Sequence, residues 1–170
     1  MNKLKIEALG KQHDRKKFNC GVEELNNYLR TTASQHAKKG ISRTFVFIET
    51  DNPSIILGFV TLTACEIVAE SLPHPYHKKF PSKVTGAKIG RLAVSRKFQK
   101  QGLGNQLIVF ALHQAIIVHQ SLGLTGVMVD AKDEQAKRYY QQYGFISLPE
   151  NSLVLFLPMQ SIINAFQNHA

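Results

Sequence analysis

The sequence is poor in cysteine and contains no long hydrophobic segment. Its two cysteines, Cys20 and Cys65, lack the spacing of a zinc or redox motif. We therefore expect free thiols in a reducing compartment, which predicts a cytoplasmic protein. The first seven residues lack the apolar stretch of a secretory signal, and no apolar run approaches the roughly 18 residues of a membrane-spanning helix. We therefore expect no membrane partner.

Acidic residues are also few. The 170 residues include 21 Lys and Arg against 12 Asp and Glu, which gives a net charge of +9 and a pI of about 9.7. Residues 1–45 contain ten bases and four acids, and residues 87–105 contain five bases and no acid. This distribution indicates a polyanionic partner or ligand, although a basic surface that only aids solubility is an alternative. The length and a hydrophobic content of 44% predict one globular domain over residues 1–170.

Hydrophobic periodicity predicts strands and helices in mixed order. Alternating and β-branched stretches predict strands at residues 4–8, 42–50, 55–69, 88–95, 126–131, 145–148 and 153–157. The second and third of these are expected to be antiparallel neighbours. Helical spacing predicts helices at residues 22–33, 103–119, 134–143 and 159–166, with a long loop at residues 71–86. The predicted class is a mixed α/β (α+β) fold.

Two glycines, Gly102 and Gly104, lie where the strand at 88–95 gives way to the helix at 103–119. Glycine allows backbone conformations that other residues avoid, and the helix N-terminus presents unpaired N–H groups and partial positive charge. This arrangement suits a phosphate group, and Arg96, Lys97 and Lys100 add charge. The pattern is neither a P-loop nor the dinucleotide fingerprint. On these residues alone, a tight turn without a ligand explains the glycines equally well.

Three segments resemble the GCN5-related N-acetyltransferase (GNAT) superfamily. Gln99–Gly104 resembles its Q/R-x-x-G-x-G/A pyrophosphate loop, Gly90–Val94 its fourth strand, and Ala136–Phe145 its A-x-x-F/Y-Y-x-x-x-G-F segment. The resemblance implies the GNAT fold, a central mixed, mostly antiparallel sheet of six to seven strands with about four helices. It also implies acetyl-CoA as co-substrate, without a metal. The residues expected to bind it are Leu92, Ala93, Val94, Gln99, Lys100, Gln101, Gly102, Leu103, Gly104 and Asn105.

A narrower resemblance covers most of the chain. The segments that carry it are Phe18–Gly21, Leu25–Leu29, Ser42–Phe45, Gly90–Val94 and Val129–Glu134. They resemble the TacT/AtaT-type acetyltransferase toxins of bacterial type II toxin–antitoxin systems. The resemblance implies acetylation of the α-amine of aminoacyl-tRNA, inhibition of translation, and a ribbon-helix-helix antitoxin as partner. We also expect a homodimer.

The chain departs from this toxin group in three places. Three tyrosines, Tyr139, Tyr140 and Tyr143, stand where the group has one tyrosine among phenylalanines. Ser95 stands where an acid is common, and residues 83–89 are more polar than expected. The loops that contact the acceptor are therefore expected to differ from those of the group.

Tyr140 matches the catalytic position of the family and is the predicted general acid. A tyrosine hydroxyl has an ordinary pKa of about 10 and can protonate a departing thiolate. Backbone N–H groups of Leu92–Val94 are expected to polarise the thioester carbonyl. An α-amine has a pKa of about 8, so a strong base is not required. Helical spacing predicts that Tyr140 and Tyr143 share a face, with Tyr139 pointing elsewhere, and that Tyr139 and Tyr143 serve packing.

The remaining candidate residues could contact the acceptor substrate or a metal ion. Asp133 and Glu134 are expected to cap the helix that they open rather than to contact substrate. His74 and His77 are not expected to hold a metal, because two histidines make a poor zinc site. Two other functions remain open: acetylation of a small amine or a protein N-terminus, and non-catalytic binding of acyl-CoA. The predicted tRNA contacts are Lys38, Lys39, Arg43, Arg91, Arg96 and Lys97.

Overall fold

The computed structural model describes residues 3–168, which divide into two compact units. The first unit comprises the chain up to Thr63 together with Gly90–Ala111. The second comprises Ala64–Ile89 together with the chain from Leu112 onward. No helix in residues 3–168 combines the length and the apolar character that crossing a membrane requires.

Seven strands of the described residues form one mixed sheet in the order β1-β2-β3-β4-β5-β7-β6. The strands are β1 (Leu4–Ala8), β2 (Arg43–Glu49), β3 (Gly58–Val68), β4 (Lys83–Val94), β5 (Gly126–Asp130), β6 (Ile146–Leu148) and β7 (Asn151–Pro158). The helices are α1 (Glu23–Asn27), α2 (Ala33–Lys38), α3 (Leu103–Leu122), α4 (Glu134–Gln141) and α5 (Met159–Asn168). The predicted α/β class and strand number are confirmed.

The first unit is built on two antiparallel strand pairs. β1 pairs with β2 from Leu4↔Glu49 to Ala8↔Phe45, and β2 pairs with β3. The pairing of β2 with β3 confirms the predicted neighbours. The hydroxyl oxygens of Thr44 and Thr61 lie 2.8 Å apart across these strands, so two buried polar groups satisfy each other. The apolar core of this unit includes Phe18, Leu29, Val46, Ile56 and Phe59.

A π-helical segment, Tyr28–Thr32, joins α1 to α2. The sequence predicts one regular helix from residue 22 to 33, whereas the helical chain continues to Lys38 with this wider turn in its middle. The segment buries the side chains of Tyr28 and Leu29. Wide turns of this kind are frequent at functional sites, which makes Tyr28 a residue of interest.

The second unit contains the parallel pair of the sheet. β4 pairs with β5 from Ala87↔Val127 to Ile89↔Val129, and β7 lies antiparallel to both β5 and β6. The long loop predicted for residues 71–86 is wrong at its end, because β4 begins at Lys83. The first residues of β4 were not predicted, because Gly86 interrupts the β-branched pattern. A Cβ at Gly86 would lie 3.0 Å from the carbonyl oxygen of Gly126, so the glycine permits close strand packing.

Candidate active site

The glycine loop, residues 95–102 between β4 and α3, has an unusual backbone. After β4, the N–H of Ser95 donates to the carbonyl of Leu57 at 2.8 Å, and a single 3₁₀ turn follows at Arg96–Phe98. Lys100 then has φ +64° and Gly102 has φ +84°, directly before α3 begins at Leu103. A lysine in the left-handed region is uncommon and mildly strained. Alternating left-handed residues at a helix N-terminus turn successive N–H groups toward one concavity, which suits an anion.

Gly102 is needed for its conformation rather than for space. A Cβ added to Gly102 would meet no atom within 4 Å, so only the positive φ disfavours other residues. Of the other predicted cofactor residues, Ala93 and Leu103 are buried and Leu92, Val94 and Gly104 are half-buried. The exposed ones are Gln99, Lys100, Gln101 and Asn105, and Gly102 is also exposed.

The side chain of Gln99 serves the shape of the loop. Its amide Nε2 donates to the carbonyl of Val94 at 2.9 Å and to the carbonyl of Cys20 at 3.0 Å. The end of β4, the loop and the turn before α1 are therefore tied together by one side chain. The sequence pattern places Gln99 in a cofactor loop but does not reveal this structural task.

β4 extends beyond its paired register with β5. The last paired residues are Ile89 and Val129, and β4 continues for five more residues, Gly90–Val94. On the β3 side these residues are closely packed, because a Cβ at Gly58 would lie 2.9 Å from the carbonyl oxygen of Ala93. The backbone of Leu92–Val94 is therefore held in an extended and fixed conformation.

Three tyrosines form a cluster around the end of α4. The ring centroids of Tyr139 and Tyr140, and those of Tyr139 and Tyr143, lie 5.7 Å apart with edge-to-face geometry. The hydroxyl of Tyr143 donates to that of Tyr139 at 3.4 Å. Tyr140 instead packs its ring edge-to-face against Phe145. The prediction that Tyr139 points elsewhere is therefore wrong, because Tyr139 contacts both Tyr140 and Tyr143, the latter as the residue four positions further along.

The environment of Tyr140 keeps its hydroxyl protonated. Burial, followed by the neighbouring Tyr139, raises the pKa of Tyr140 to about 12. Burial and the hydrogen bond to Tyr139 raise the pKa of Tyr143 even further. Within residues 3–168, the Tyr140 hydroxyl makes no hydrogen bond. Tyr140 is therefore protonated at neutral pH, and its hydroxyl proton is not donated to a neighbouring group. A general acid requires such a proton.

The acidic residues at the start of α4 have structural partners. Asp133 is the N-cap, and its Oδ1 accepts from the N–H of Ala136 at 2.8 Å. Glu134 forms an ion pair with Lys137 at 3.6 Å. The expected capping role is confirmed for Asp133. In the described part of the chain, no three His, Cys, Asp or Glu side chains are grouped so as to hold a metal ion.

The six predicted RNA contacts all lie in the first unit. Lys38 and Lys39 end the α2 region and Arg43 begins β2, all three exposed. Arg91 lies on β4, and its guanidinium lies 3.7 Å from the ring centroid of Tyr28. The hydroxyl of Tyr28 lies 3.0 Å from Oγ of Ser42, the residue before Arg43.

Arg96 and Lys97 lie elsewhere, on the wall of a cavity beside the glycine loop. Lys17, Phe18 and Phe98 also line this cavity. The sequence analysis missed Lys17 and Phe98 as site residues, since nothing in the linear sequence connects Lys17 with residues 96–98.

Comparison with known proteins identifies the family. The family model described as "Acetyltransferase (GNAT) domain" matches residues 19–161. The chain belongs to the GNAT acetyltransferase family. The glycine loop, the end of β4 and Tyr140 all lie inside the matched segment.

Two curated GNAT relatives and two solved structures narrow the comparison. A tRNA-acetylating toxin of Mycobacterium tuberculosis is 31% identical over 143 residues, which cover 84% of each chain. A probable toxin TacT of Sinorhizobium fredii is 27% identical and covers 89% of this chain and 88% of its own. AtaT complexed with acetyl-methionyl-tRNAfMet and a tyrosine-to-phenylalanine mutant of KacT each have a TM-score of 0.89 at 31% identity. Each covers 96% of this chain and 99% of its own.

Tyr28 is a functional candidate of this GNAT chain that the sequence analysis did not select. Its segment, Leu25–Leu29, resembles the toxin group, which was the available signal. The sequence does not show that Tyr28 contacts Arg91, because Arg91 lies on β4, 63 residues further along the chain.

Proposed function

We propose that this acetyltransferase transfers the acetyl group of acetyl-CoA to the α-amine of aminoacyl-tRNA and thereby inhibits translation. One observation carries the proposal. The first unit contains both a loop whose residues Lys100 and Gly102 have positive φ, and a set of exposed basic side chains. The first suits the pyrophosphate of acetyl-CoA, and the second suits an RNA backbone. The curated tRNA-acetylating relative and the AtaT complex with acetylated tRNA support the same acceptor.

The donor end of the reaction rests on β4 and the loop after it. The N–H groups of residues 100–104 and the start of α3 would bind the pyrophosphate. The extended backbone of Leu92–Val94 would bind the pantetheine arm and donate to the thioester carbonyl oxygen. Such donors stabilise the negative charge that develops on this oxygen when the amine attacks.

The attacking amine needs little help. An α-amine has an ordinary pKa of about 8, so an appreciable fraction is neutral at physiological pH. The nitrogen forms a bond to the carbonyl carbon, the C–S bond breaks, and the sulfur leaves with the electron pair. Tyr140 would donate its proton to this thiolate, which becomes the thiol of CoA. The amine loses one proton, which reaches the tyrosinate through solvent and restores the tyrosine.

The acceptor would lie against the basic surface formed by Lys38, Lys39, Arg43 and Arg91. Across residues 3–168 these four side chains form no ion pair with an acid, so their charge is available to phosphates. Arg91 is additionally held by Tyr28, which fixes the plane of its guanidinium. A fixed planar fork suits bidentate contact with a phosphate.

The partner and the setting are part of the proposal. AtaT has been solved with the C-terminus of the antitoxin AtaR, and KacT as a KacTA–DNA complex. By analogy, this chain would be the toxin of a type II pair, neutralised by a ribbon-helix-helix antitoxin in the cytoplasm. We further propose that it acts as a homodimer.

Incubation of the purified protein with acetyl-CoA and a charged tRNA pool tests the function. Mass spectrometry of the released aminoacyl adenosines should show added acetyl groups on one or a few amino acids. The matched control is Tyr140→Phe, which keeps the ring and removes the proton donor. Acetylation of free polyamines or of peptide N-termini, with untouched tRNA, would instead support the small-molecule or protein acceptor.

A further inference from the structure

The connection between β3 and β4 contains a short segment in which aromatic rings lie next to cations. Residues 74–80 read His-Pro-Tyr-His-Lys-Lys-Phe, and no Asp or Glu occurs in residues 71–129. Within residues 3–168, neither Lys78 nor Lys79 forms an ion pair with an acid. The 74–80 segment belongs to the second unit. The proposed mechanism uses none of its residues.

Two rings of the segment anchor it in the core of its unit. Tyr76 and Phe80 pack against an apolar cluster that includes Phe156. The ring of Tyr76 meets that of Phe156 edge-to-face at 5.9 Å, and Phe156 is fully buried. The backbone forms a 3₁₀ turn at Tyr76–Lys78, and the N–H of Lys79 donates to the carbonyl of Tyr76 at 3.0 Å. The segment therefore presents its remaining side chains from a fixed turn.

Those remaining side chains reach the surface. His74, Lys78 and Lys79 are exposed. The ring centroids of His74 and His77 lie 5.2 Å apart, and Nζ of Lys79 lies 5.1 Å from the centroid of the Tyr76 ring. The buried Nδ1 of His77 has no hydrogen-bond partner within residues 3–168, so ring packing rather than a hydrogen bond holds the histidine pair. One exposed ring and two cations are thus held on a single turn.

This combination favours unpaired nucleotides over other anions. Unpaired RNA bases stack on aromatic side chains, histidine included, and every base has a π-face that can do so. The bases of a duplex are stacked on one another, so a duplex offers only its phosphates to such a surface. Lysines without acidic neighbours supply the phosphate contacts, which do not depend on sequence.

We propose that the 74–80 segment binds unpaired nucleotides of the RNA acceptor. The imidazole of His74 stacks on a base, and Lys78 and Lys79 contact the flanking phosphates. The inference rests on the proposed function, which makes an RNA the acceptor. It adds an RNA contact in the second unit to the basic surface already described in the first.

Fluorescence anisotropy with two uncharged RNA probes tests the stacking. The probes are a short single-stranded RNA and the blunt duplex that it forms with its complement. His74→Ala should weaken binding of the single strand by at least about fivefold, the effect of losing one stacked base, and should leave duplex binding unchanged. His74→Phe keeps a ring and should bind the single strand like the wild type. His113→Ala is the matched control, because His113 is an exposed histidine of the same unit.

Salt titrations with the single-stranded probe test the two lysines. Lys78→Ala and Lys79→Ala should each lower the slope of log K against log salt by about 0.7, the value for one phosphate contact on a single strand. Lys132→Ala should keep the wild-type slope. It is the matched control, because Lys132 is an exposed lysine of the same unit that forms no ion pair in the described chain.

The outcomes separate this site from the proposed function. Wild-type affinity of His74→Ala for the single strand overturns the assignment, as does an equal loss for the duplex. Lysine variants that lose binding to a polyglutamate peptide but not to RNA also overturn it, in favour of an acidic protein partner. A wild type that binds the single strand through His74 but leaves charged tRNA unacetylated keeps the RNA contact and rejects the proposed function.

Discussion

The guanidinium of Arg91 stacks on the ring of Tyr28, with 3.7 Å between its central carbon and the ring centroid. Tyr28 is 5% exposed, and its hydroxyl is within 3.0 Å of Oγ of Ser42 and 3.4 Å of Nδ1 of His36. The ring is thus a fixed platform inside the π-helical segment. The ring holds Arg91 on β4, and the residues that follow Arg91, Leu92–Val94, are proposed to contact acetyl-CoA.

This relationship predicts different effects for two conservative substitutions. Tyr28→Phe keeps the platform and loses a buried hydrogen bond, so the free energy of unfolding should fall by about 1 kcal/mol while tRNA affinity is unchanged. Arg91→Lys loses the planar stack, so the free energy of unfolding should fall by about 0.5–1 kcal/mol, and tRNA affinity should also fall because the oriented planar fork is lost. Urea unfolding and filter binding measure the two quantities. Equal tRNA defects in both variants would contradict the platform role.

The basic surface should be visible in the salt dependence of tRNA binding. Replacing Lys38, Lys39 and Arg43 together by Ala should reduce the slope of log K against log salt by about 0.9 for each phosphate that the protein no longer neutralises. Acetyl-CoA affinity should stay as in the wild type. The control triple variant replaces other exposed lysines, Lys11, Lys16 and Lys132, and removes the same charge. If both triple variants change the slope equally, the RNA responds to net charge and not to this surface.

The glycine loop offers a comparison with a matched glycine. Gly102 and Gly123 have φ values of +84° and +78°, and a Cβ at either would meet no atom within 4 Å. Gly102→Glu and Gly123→Glu should therefore cost similar stability, about 1 kcal/mol, from the left-handed backbone. Only Gly102→Glu places a carboxylate at the proposed pyrophosphate site, so only it should abolish acetyl-CoA binding. Calorimetry showing equal affinity in both variants would place the pyrophosphate elsewhere.

Local features were the predictable part of this molecule. The loop after β4 could be recognised because glycines, cations and the flanking periodicity all lie within about a dozen residues. β4 was predicted from residue 88 onward, and its start at Lys83 was missed because Gly86 breaks the pattern. Gly86 itself is explained by the closeness of the Ile67 side chain and the Gly126 carbonyl, which are tertiary contacts.

Features that depend on tertiary contacts could not be predicted. The stack of Arg91 on Tyr28, the amide bonds of Gln99 and the cavity of three distant segments all depend on the folded chain. The tyrosine cluster shows the same limit on a shorter scale. Helical spacing was used to pair Tyr143 with Tyr140, but the structure also brings Tyr139 into contact with both rings.

The raised pKa of Tyr140 predicts how stability depends on pH. An unfolded tyrosine ionises near its ordinary pKa of about 10, whereas folded Tyr140 keeps its proton to about 12. Between these values the unfolded state binds fewer protons than the folded state, so the free energy of unfolding falls as pH rises. This contribution is fully present below pH 10. Urea unfolding at a series of alkaline pH values should show a shallower decline in Tyr140→Phe than in the wild type.

Tyr140→Phe also tests the chemistry directly. The hydroxyl makes no hydrogen bond within residues 3–168, so its removal should leave stability at neutral pH and acetyl-CoA affinity unchanged. If the hydroxyl protonates the thiolate, the rate at saturating acetyl-CoA should fall by about 10²–10⁴. Stopped-flow detection of free CoA thiol measures the chemical step.

The neighbouring tyrosines supply the controls for that experiment. Tyr139→Phe and Tyr143→Phe each remove one half of the same hydroxyl pair, so they should resemble each other and retain most of the rate. A dead Tyr143→Phe beside an active Tyr140→Phe would shift the proton donor to Tyr143. Full activity in all three variants would mean that the thiolate leaves without a tyrosine proton. In that case the backbone N–H groups of Leu92–Val94 would have to supply the catalytic effect alone.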